Sequence, residues 1–469
     1  MTAATARLLT TLLSLTEDTG SLSDELHFAG RDAAERVPLD HGAANVLRAL
    51  VLPKAAKVLE VGAGFGGLTR YLGEVSATVH AVEADPVRAA AVRFRTRGLA
   101  TVSVHDRPPS DGYDLVVVQQ PYATRGLLES VRERLSPMGA VVVLTSSRGV
   151  AGTLATAGLE VQRELLCSPG HEVARAVRSE RIDIELPRLS AAITGGPANG
   201  LALLCGPGAA ALWPAFRLAT YFNTAERAAF ACTRADVVRT GEGAEVRRVP
   251  LMPSPPVAGI SVGPCTDKVY DAPTMVEVLL DEPERVAELL TGWRDLVRAE
   301  AARGVEALWD LVPHNVLVDG ATLRPIDLEW RHAGAGVSEV IERGVLVLAD
   351  KLTDAGWSAA ADDGSMRDLA GWLGVLIGLH PSFVDGALER EVDFSTVGSC
   401  GAAHGTDEVR AAIDGIWRTR LLRRPAAPKP ATTRGGGIAE RAPGREGHEY
   451  RSTKVGAGVA ANEDEVAKR

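Results

Sequence analysis

From Pro38 onward, short apolar runs alternate with amphipathic stretches. Lys57–Val61 (KVLEV), Thr78–Glu83 (TVHAVE), Asp114–Gln119 (DLVVVQ) and Ala140–Thr145 (AVVVLT) read as strands, Asp114–Gln119 of the fully buried type. Between them Gly66–Gly73, the segment opened by Asp85-Pro86, and Leu127–Leu135 read as helices. Asp85 is placed to cap the second of these and Pro86 to fill its first turn. Pro137-Met138-Gly139 reads as a turn. Strands alternating with helices at this spacing predict a parallel, doubly wound α/β sheet that closes around Pro187.

The pattern then changes. Leu189–Pro214 reads as a loop-rich join, and Ala235–Pro250 as a hairpin around Gly241-Glu242-Gly243. Glu282–Arg303, Val337–Leu352 and Ser365–Leu379 carry helical periodicity. A small β-rich part followed by a larger helical part predicts a second domain with two lobes. Arg424–Arg469 is rich in Pro, Gly and charge with almost no large apolar residues, and reads as a disordered tail. The expected organisation is therefore an N-terminal helical segment (1–37), the α/β domain (38–188), the second domain (189–423) and the tail (424–469).

Composition narrows the class. The 469 residues, 46% of them hydrophobic, suffice for two to four domains at roughly 100–200 residues each. A net charge of −9 argues against a protein that coats nucleic acid or an anionic membrane. Cys167, Cys205, Cys232, Cys265 and Cys400 form no CxxC pair, which argues against a zinc site or a disulfide framework and for a reducing compartment. The first twenty residues carry one Arg and a short apolar run ending in acids, unlike a signal peptide. Leu189–Phe216 is free of charge, but five Gly and three Pro interrupt it, so no spanning helix is expected there. A cytoplasmic location is the resulting expectation.

Glu60-Val61-Gly62-Ala63-Gly64-Phe65-Gly66-Gly67 sits where the first strand turns into a helix. Glycines there let the backbone approach a ligand, and the helix N-terminus offers free N–H groups. Gly62, Gly64 and Gly67 satisfy the dinucleotide spacing GxGxxG, so an NAD or FAD reading stands open. Two acids point elsewhere. Glu60, directly before the turn, would repel a pyrophosphate but suits the cationic amino-acid end of S-adenosylmethionine. Glu83 ends the second strand, 21 residues after Gly62, placed to accept hydrogen bonds from ribose hydroxyls.

This pattern resembles the class I S-adenosylmethionine-dependent methyltransferases, whose first motif is an acid followed by GxGxG. The resemblance covers about 25–187. It implies that Glu60, Gly62, Ala63, Gly64 and Gly66 cradle the methionine and ribose portions, that Glu83 holds the ribose diol, and that Asp106, which follows a further strand between Thr78–Glu83 and Asp114–Gln119, contacts adenine. In Gln119-Gln120-Pro121-Tyr122 the family often places a catalytic or acceptor-binding polar residue. Gln120 is the catalytic candidate and Tyr122 a second one, with capping of the strand as the alternative for both. His80, between apolar neighbours in a strand, reads as structural.

A second constellation lies downstream, in Trp309-Asp310-Leu311-Val312-Pro313-His314-Asn315 and Pro325-Ile326-Asp327-Leu328-Glu329-Trp330. An acid, an amide five residues later, a short strand, a turn and a second acid suit phosphoryl transfer, in which an Asp orients a hydroxyl while an Asn and an Asp hold magnesium. The segment resembles the DxxxxN…D run of protein-kinase-like folds, nearest to aminoglycoside and small-molecule phosphotransferases. That resemblance implies Asp310 as catalytic acid-base and Asn315 and Asp327 as metal ligands, with ATP and Mg2+ as cofactors. Departures are plain: Leu308 stands two before Asp310 where His is usual, and Leu328 follows Asp327. No Lys occurs between Lys57 and Lys268, which leaves Arg234, Arg247 or Arg248 to replace the strand lysine. The plain alternative is a hairpin with solvated acids.

The whole is expected to be a doubly wound Rossmann-like methyltransferase domain followed by a two-lobed α+β kinase-like domain and a disordered C-terminal tail. It resembles the bacterial methyltransferase–kinases that terminate O-antigen and other surface polysaccharides. The resemblance implies a glycan or glycolipid acceptor and peripheral association with a glycan-assembly machinery, with neither a nucleic-acid partner nor a transmembrane segment. That family's C-terminal coiled coil has no heptad counterpart in Arg424–Arg469. Two alternatives remain: a methyltransferase whose kinase-like half only binds a substrate or partner, which the missing lysine favours, and an NAD-dependent oxidoreductase.

Overall fold

The computed structural model describes residues 3–14, 17–30, 33–194, 196–225, 227–306, 308–357, 364–398 and 406–418. The expected tail, Arg424–Arg469, lies outside the described residues. The chain divides into two compact units, one running to Asp271 and taking in residues 396–398, the other comprising Ala272–Ser395 and the helix Thr406–Trp417.

The first unit is organised by β1 (Lys57–Val61), β2 (Thr78–Val82), β3 (Val102–His105), β4 (Tyr113–Gln119) and β5 (Leu135–Thr145). These five are parallel and lie in the order β3-β2-β1-β4-β5. Helices Gly67–Val75, Pro86–Arg95 and Arg125–Glu133 connect them, and Asp85 caps the second through the N–H groups of Val87 and Arg88. Leu115 and Val117 of β4 enter one core, with Leu47, Leu72 and Trp213, while Val116 and Val118 enter another, with Leu128, Val131 and Leu154. Burial on both faces explains why this strand is an unbroken apolar run. The strand order reverses between β1 and β4, and a crevice for ligands opens beyond the carboxyl ends at such a point.

The sheet does not close near Pro187. β6 (Val161–Ser168), β7 (Ala176–Arg178), β8 (Gly200–Cys205), β9 (Arg217–Asn223), β10 (Thr233–Thr240) and β11 (Gly243–Pro250) continue it; β12 (Ile260–Val262) stands outside it, and β13 (Cys265–Lys268) ends it. Twelve described strands follow the order β13-β11-β10-β9-β7-β6-β8-β5-β4-β1-β2-β3. The expected loop-rich join, Leu189–Pro214, thus contains β8, which runs antiparallel between β5 and β6 with all six residues buried. The expected hairpin Ala235–Pro250 forms as β10 and β11, with Thr240 facing Gly243 across its turn. It extends this sheet instead of building the small lobe of a separate domain, so the boundary expected at 188/189 falls at 271/272. The expected turn Pro137-Met138-Gly139 is an irregularity inside β5: Tyr113 pairs with Leu135, and Leu115 with Ala140.

The N-terminal segment supplies helices Ala3–Ser14, Asp24–Ala29 and Ala33–Leu39 to this unit. Behind them His41 is buried and stacked on His27, ring centroids 4.1 Å apart, with Nδ1 3.5 Å from Cys232 Sγ and Nε2 3.5 Å from Asp24. Burial lowers the His41 pKa to about 3. Cys167, Cys205 and Cys232 are core residues, and Cys265 is half-buried.

The second unit contains helices Val286–Ala302, Val337–Asp354 and Met366–Leu376, close to the expected spans, a further helix Met275–Asp281 that was not expected, and the hairpin β14 (Val316–Asp319) and β15 (Thr322–Pro325). Trp293 donates from Nε1 to the Leu311 carbonyl at 2.9 Å, and Arg343 donates to the Trp309 carbonyl at 2.6 Å while pairing with Glu391 at 3.0 Å. These bonds tie the segment before β14 to the long helices. Among the described residues, no helix is long and apolar enough to cross a membrane.

Candidate functional site

The glycine-rich turn lies at the carboxyl end of β1, beside the strand-order reversal. Its shape is set by backbone bonds: the N–H groups of Gly62 and Ala63 both donate to the Val82 carbonyl, at 3.0 and 3.1 Å, and Gly66 N–H donates to Ala63 at 2.9 Å. β2 is tied to β3 in turn, because Glu83 N–H donates to the His105 carbonyl at 3.0 Å. The ends of three neighbouring strands are thereby held in one rim. Gly62 and Gly64 have φ of +88° and +56°, a region that side-chain-bearing residues adopt only with strain. Around Gly64 the space is open: a Cβ there would meet nothing closer than the Gly62 carbonyl oxygen at 4.0 Å.

Glu83 is buried beside this opening and hydrogen-bonded to the turn. Its Oε2 accepts the Gly64 N–H at 3.0 Å, and its Oε1 accepts the Asp85 N–H at 3.0 Å and an Arg88 Nη2–H at 2.8 Å. The carboxylate is buried, whereas the Arg88 side chain is 35% exposed. Glu83 raises the Arg88 pKa through that hydrogen bond. Arg88 Nη2 also donates to the Tyr122 hydroxyl at 3.1 Å, and the Tyr122 ring lies against Gly62.

Glu60 does not face the opening. It is wholly buried beneath the turn, where Oε2 accepts the Thr69 hydroxyl at 2.6 Å and Oε1 accepts the Gln119 side-chain amide at 3.3 Å. Burial pushes its pKa up to about 7. The residue joins β1, the helix Gly67–Val75 and the end of β4. Gln120 has the capping role: its Oε1 accepts the Thr145 hydroxyl at 2.5 Å and the Ser146 N–H at 3.1 Å, binding the ends of β4 and β5. Asp106 is exposed just after β3. His80 contacts the Tyr113 hydroxyl at 2.9 Å.

The turn, Glu83, Tyr122 and the segment bearing Asp106 thus meet at one rim, while Glu60 and Gln120 brace it from behind. Thr69 and Arg88 went unnoticed in the sequence. Arg88 had a signal, because Asp85 as cap and Pro86 in the first turn place residue 88 on the first turn of the helix, back toward Glu83.

In the second unit, Asp310 and Asn315 are both buried and joined, Asn315 Nδ2 donating to the Asp310 carbonyl at 3.0 Å. Ile326 N–H donates to the Asn315 carbonyl at 2.8 Å, which brings the chain at Asp327 back beside Asn315. Asp310 Oδ2 accepts the N–H groups of Glu329 and Trp330 at 3.2 and 3.4 Å. Asp327 has φ +61°, a conformation in which Asp is among the tolerated residues. Asp310, Asn315 and Asp327 therefore share one loop cluster. Among the described residues, no group of three His, Cys, Asp or Glu side chains is arranged to hold a metal ion.

The chain matches no protein-family model and no curated protein. Among solved structures, it is similar to an S-adenosylmethionine-dependent methyltransferase from Mesorhizobium loti, with 15% identity over 35% of this chain and 97% of that one, at a TM-score of 0.26. A TehB-like S-adenosylmethionine-dependent methyltransferase from Corynebacterium glutamicum is 17% identical over 35% and 86%, with a TM-score of 0.25. An S-adenosylmethionine-dependent methyltransferase from Aquifex aeolicus is 14% identical over 37% and 93%, with a TM-score of 0.26.

Proposed function

We propose that the first unit binds S-adenosylmethionine at the rim formed by the glycine turn and Glu83, and transfers its methyl group. One observation carries the reading: a buried carboxylate at the end of β2 is fixed to the open Gly64 of the turn, beside the point where the strand order reverses. In this reading Glu83 accepts the ribose hydroxyls, Gly62, Ala63, Gly64 and Gly66 form the floor, and Asp106 borders the adenine. Glu60 and Thr69 hold the floor from below, a change from the expected direct role of Glu60. Bound there, the cofactor supplies an electrophilic methyl group on a sulfonium. Tyr122, from the segment beyond β4, lies against the floor at Gly62, and Gln120 serves the strand ends.

Two expectations stay as proposals of finer grain. The first is a magnesium–ATP site at Asp310, Asn315 and Asp327, supported by the hydrogen bond between the first two and the fold-back of the chain at the third. The second is a glycan hydroxyl as acceptor, for which the support is the pairing of these two sites in one chain. With β10 and β11 built into the first unit's sheet, a partner-binding role for the second unit is at least as well supported as phosphoryl transfer. The dinucleotide alternative keeps the spacing of Gly62, Gly64 and Gly67 in its favour.

Calorimetric titration of the full chain separates these readings. S-adenosylhomocysteine binding without NADH binding is expected, and the reverse would transfer the site to a dinucleotide.

A further inference from the structure

Three residues from three separate segments close over the glycine turn. Glu83 belongs to the end of β2, Arg88 to the helix Pro86–Arg95, and Tyr122 to the segment after β4. Arg88 Nη2 bridges the other two, 2.8 Å from Glu83 Oε1 and 3.1 Å from the Tyr122 hydroxyl. The Tyr122 ring lies where a Cβ on Gly62 would overlap its Cδ2 and Cε2. The face of Gly62 that its missing side chain leaves free for a ligand is thus covered by an aromatic ring. The Glu83 oxygen that a ribose diol would use is likewise taken by a guanidinium.

The partners differ in how firmly they are held. Glu83 is fixed by two backbone N–H groups, those of Gly64 and Asp85, and cannot move without disturbing the rim. Arg88 is partly exposed, and its Nε is buried without a hydrogen-bond partner among the described residues. The Tyr122 backbone is anchored through its N–H to Gln119 at 2.9 Å and through its carbonyl to Thr124 at 2.7 Å, while its half-buried ring packs at the edge of the core that holds Val118 and Leu128 and its hydroxyl accepts from Arg88. The movable pair is Arg88 and Tyr122.

We propose that Arg88 and Tyr122 form a latch that keeps the cofactor site closed in the free protein. Opening exchanges the Arg88 hydrogen bond on Glu83 Oε1 for one from a ribose hydroxyl, and swings the Tyr122 ring off Gly62. The proposal rests on the methyl-donor reading of this rim. A protein whose binding-competent state is only partly populated shows an affinity reduced by that fraction, so removing the latch tightens binding.

The test is S-adenosylhomocysteine titration of the full chain as wild type, Arg88→Gln and Tyr122→Phe, with circular dichroism melts of each. Arg88→Gln is expected to lower Kd by about tenfold, and Tyr122→Phe, which keeps the ring and removes only the hydroxyl, by about threefold. In stopped flow the wild-type association rate levels off as ligand concentration rises, because opening becomes limiting, whereas that of Arg88→Gln keeps rising. If wild type binds and both variants bind equally or more weakly, the latch is overturned while the methyl-donor reading stands. If none of the three binds at millimolar ligand, the methyl-donor reading falls and the latch with it. Should Arg88→Gln melt early, Tyr122→Phe alone decides, since it removes one hydroxyl from a half-buried ring.

Discussion

The carboxylate of Glu83 accepts the backbone N–H of Gly64 at 3.0 Å, tying the end of the second strand to the most open point of the glycine turn. Glu83→Ala is expected to weaken S-adenosylhomocysteine binding by roughly 1–3 kcal/mol, since a charge-assisted acceptor is lost and the turn is released. Calorimetry measures this directly. Unchanged affinity would remove Glu83 from the site.

Glu60 makes stability depend on pH. Its folded pKa of about 7 lies above the ordinary 4.5, so in that interval the folded chain holds a proton that the unfolded chain has released. Stability from this group is full below the ordinary value and falls as pH rises through the interval, by about 3 kcal/mol in all. Glu60→Gln should flatten that limb. Urea midpoints across the interval check it, and an unaltered slope in the variant would assign the effect elsewhere.

His41 works in the opposite sense. Its folded pKa of about 3 lies below the ordinary 6.5, so between these values the unfolded chain takes up a proton that the folded chain refuses. Stability is lost as pH falls through that window. Asp24, Asp40, His27, Arg48 and Cys232 all act on this cluster, and the acids do not offset burial. His41→Asn is expected to lower stability near neutrality by about 1–3 kcal/mol and to shallow the acid limb. Denaturation at descending pH, with the wild type alongside, measures both effects.

Magnesium-dependent ATP binding by the full chain, abolished in Asp327→Asn, is the expected signature of a live site in the second unit. Calorimetry with and without magnesium is the measurement. Absence of binding at millimolar ATP would leave Asp310 and Asn315 as braces of a hairpin and restrict the chemistry to methyl transfer.

A fragment of residues 1–188 is expected to aggregate, whereas 1–271 should fold. The shorter piece lacks β8, whose Leu201, Ala202, Leu203 and Leu204 are buried between β5 and β6. Each such leucine contributes about 1.5–3 kcal/mol, and the strand edges left behind would be apolar. Size-exclusion profiles of the two fragments distinguish the outcomes.

Most of the parallel half of the sheet was legible because its strands are local signals: KVLEV, TVHAV and DLVVVQ are apolar runs bounded by turns, and Asp85-Pro86 marks a helix start, whereas the short β3 and the first residues of β5, broken by Pro137 and Gly139, carry no such run. The glycine turn and Glu83 were legible for the same reason. β8 was hidden, since Leu201–Cys205 lies in an uncharged stretch broken by Gly and Pro, and its partners are distant in sequence. The hairpin β10–β11 was found, but its attachment to β9 depends on pairing that no local pattern encodes. In the site, the acidic character of Glu60 was visible and its direction was not. Only the packing of the helix Gly67–Val75 on β1 turns that carboxyl toward Thr69, away from the rim. Arg88 and Tyr122 were each on view in the chain, but their meeting over Gly62 needs three elements at once.

The interposition of β8 also sets a timetable for synthesis. When Thr145 leaves the ribosome, β5 has its neighbour β4 on one side and nothing on the other, and the intended neighbour emerges only after residues 146–199. At about 5–20 residues per second, that edge waits several seconds. During this interval Val141, Val143 and Leu144 present a strand with open hydrogen-bonding groups to every nascent chain nearby. Chaperone dependence during translation, and misassembly between neighbouring chains on one message, are the hazards this topology carries, and slower decoding after Thr145 would lengthen the exposure.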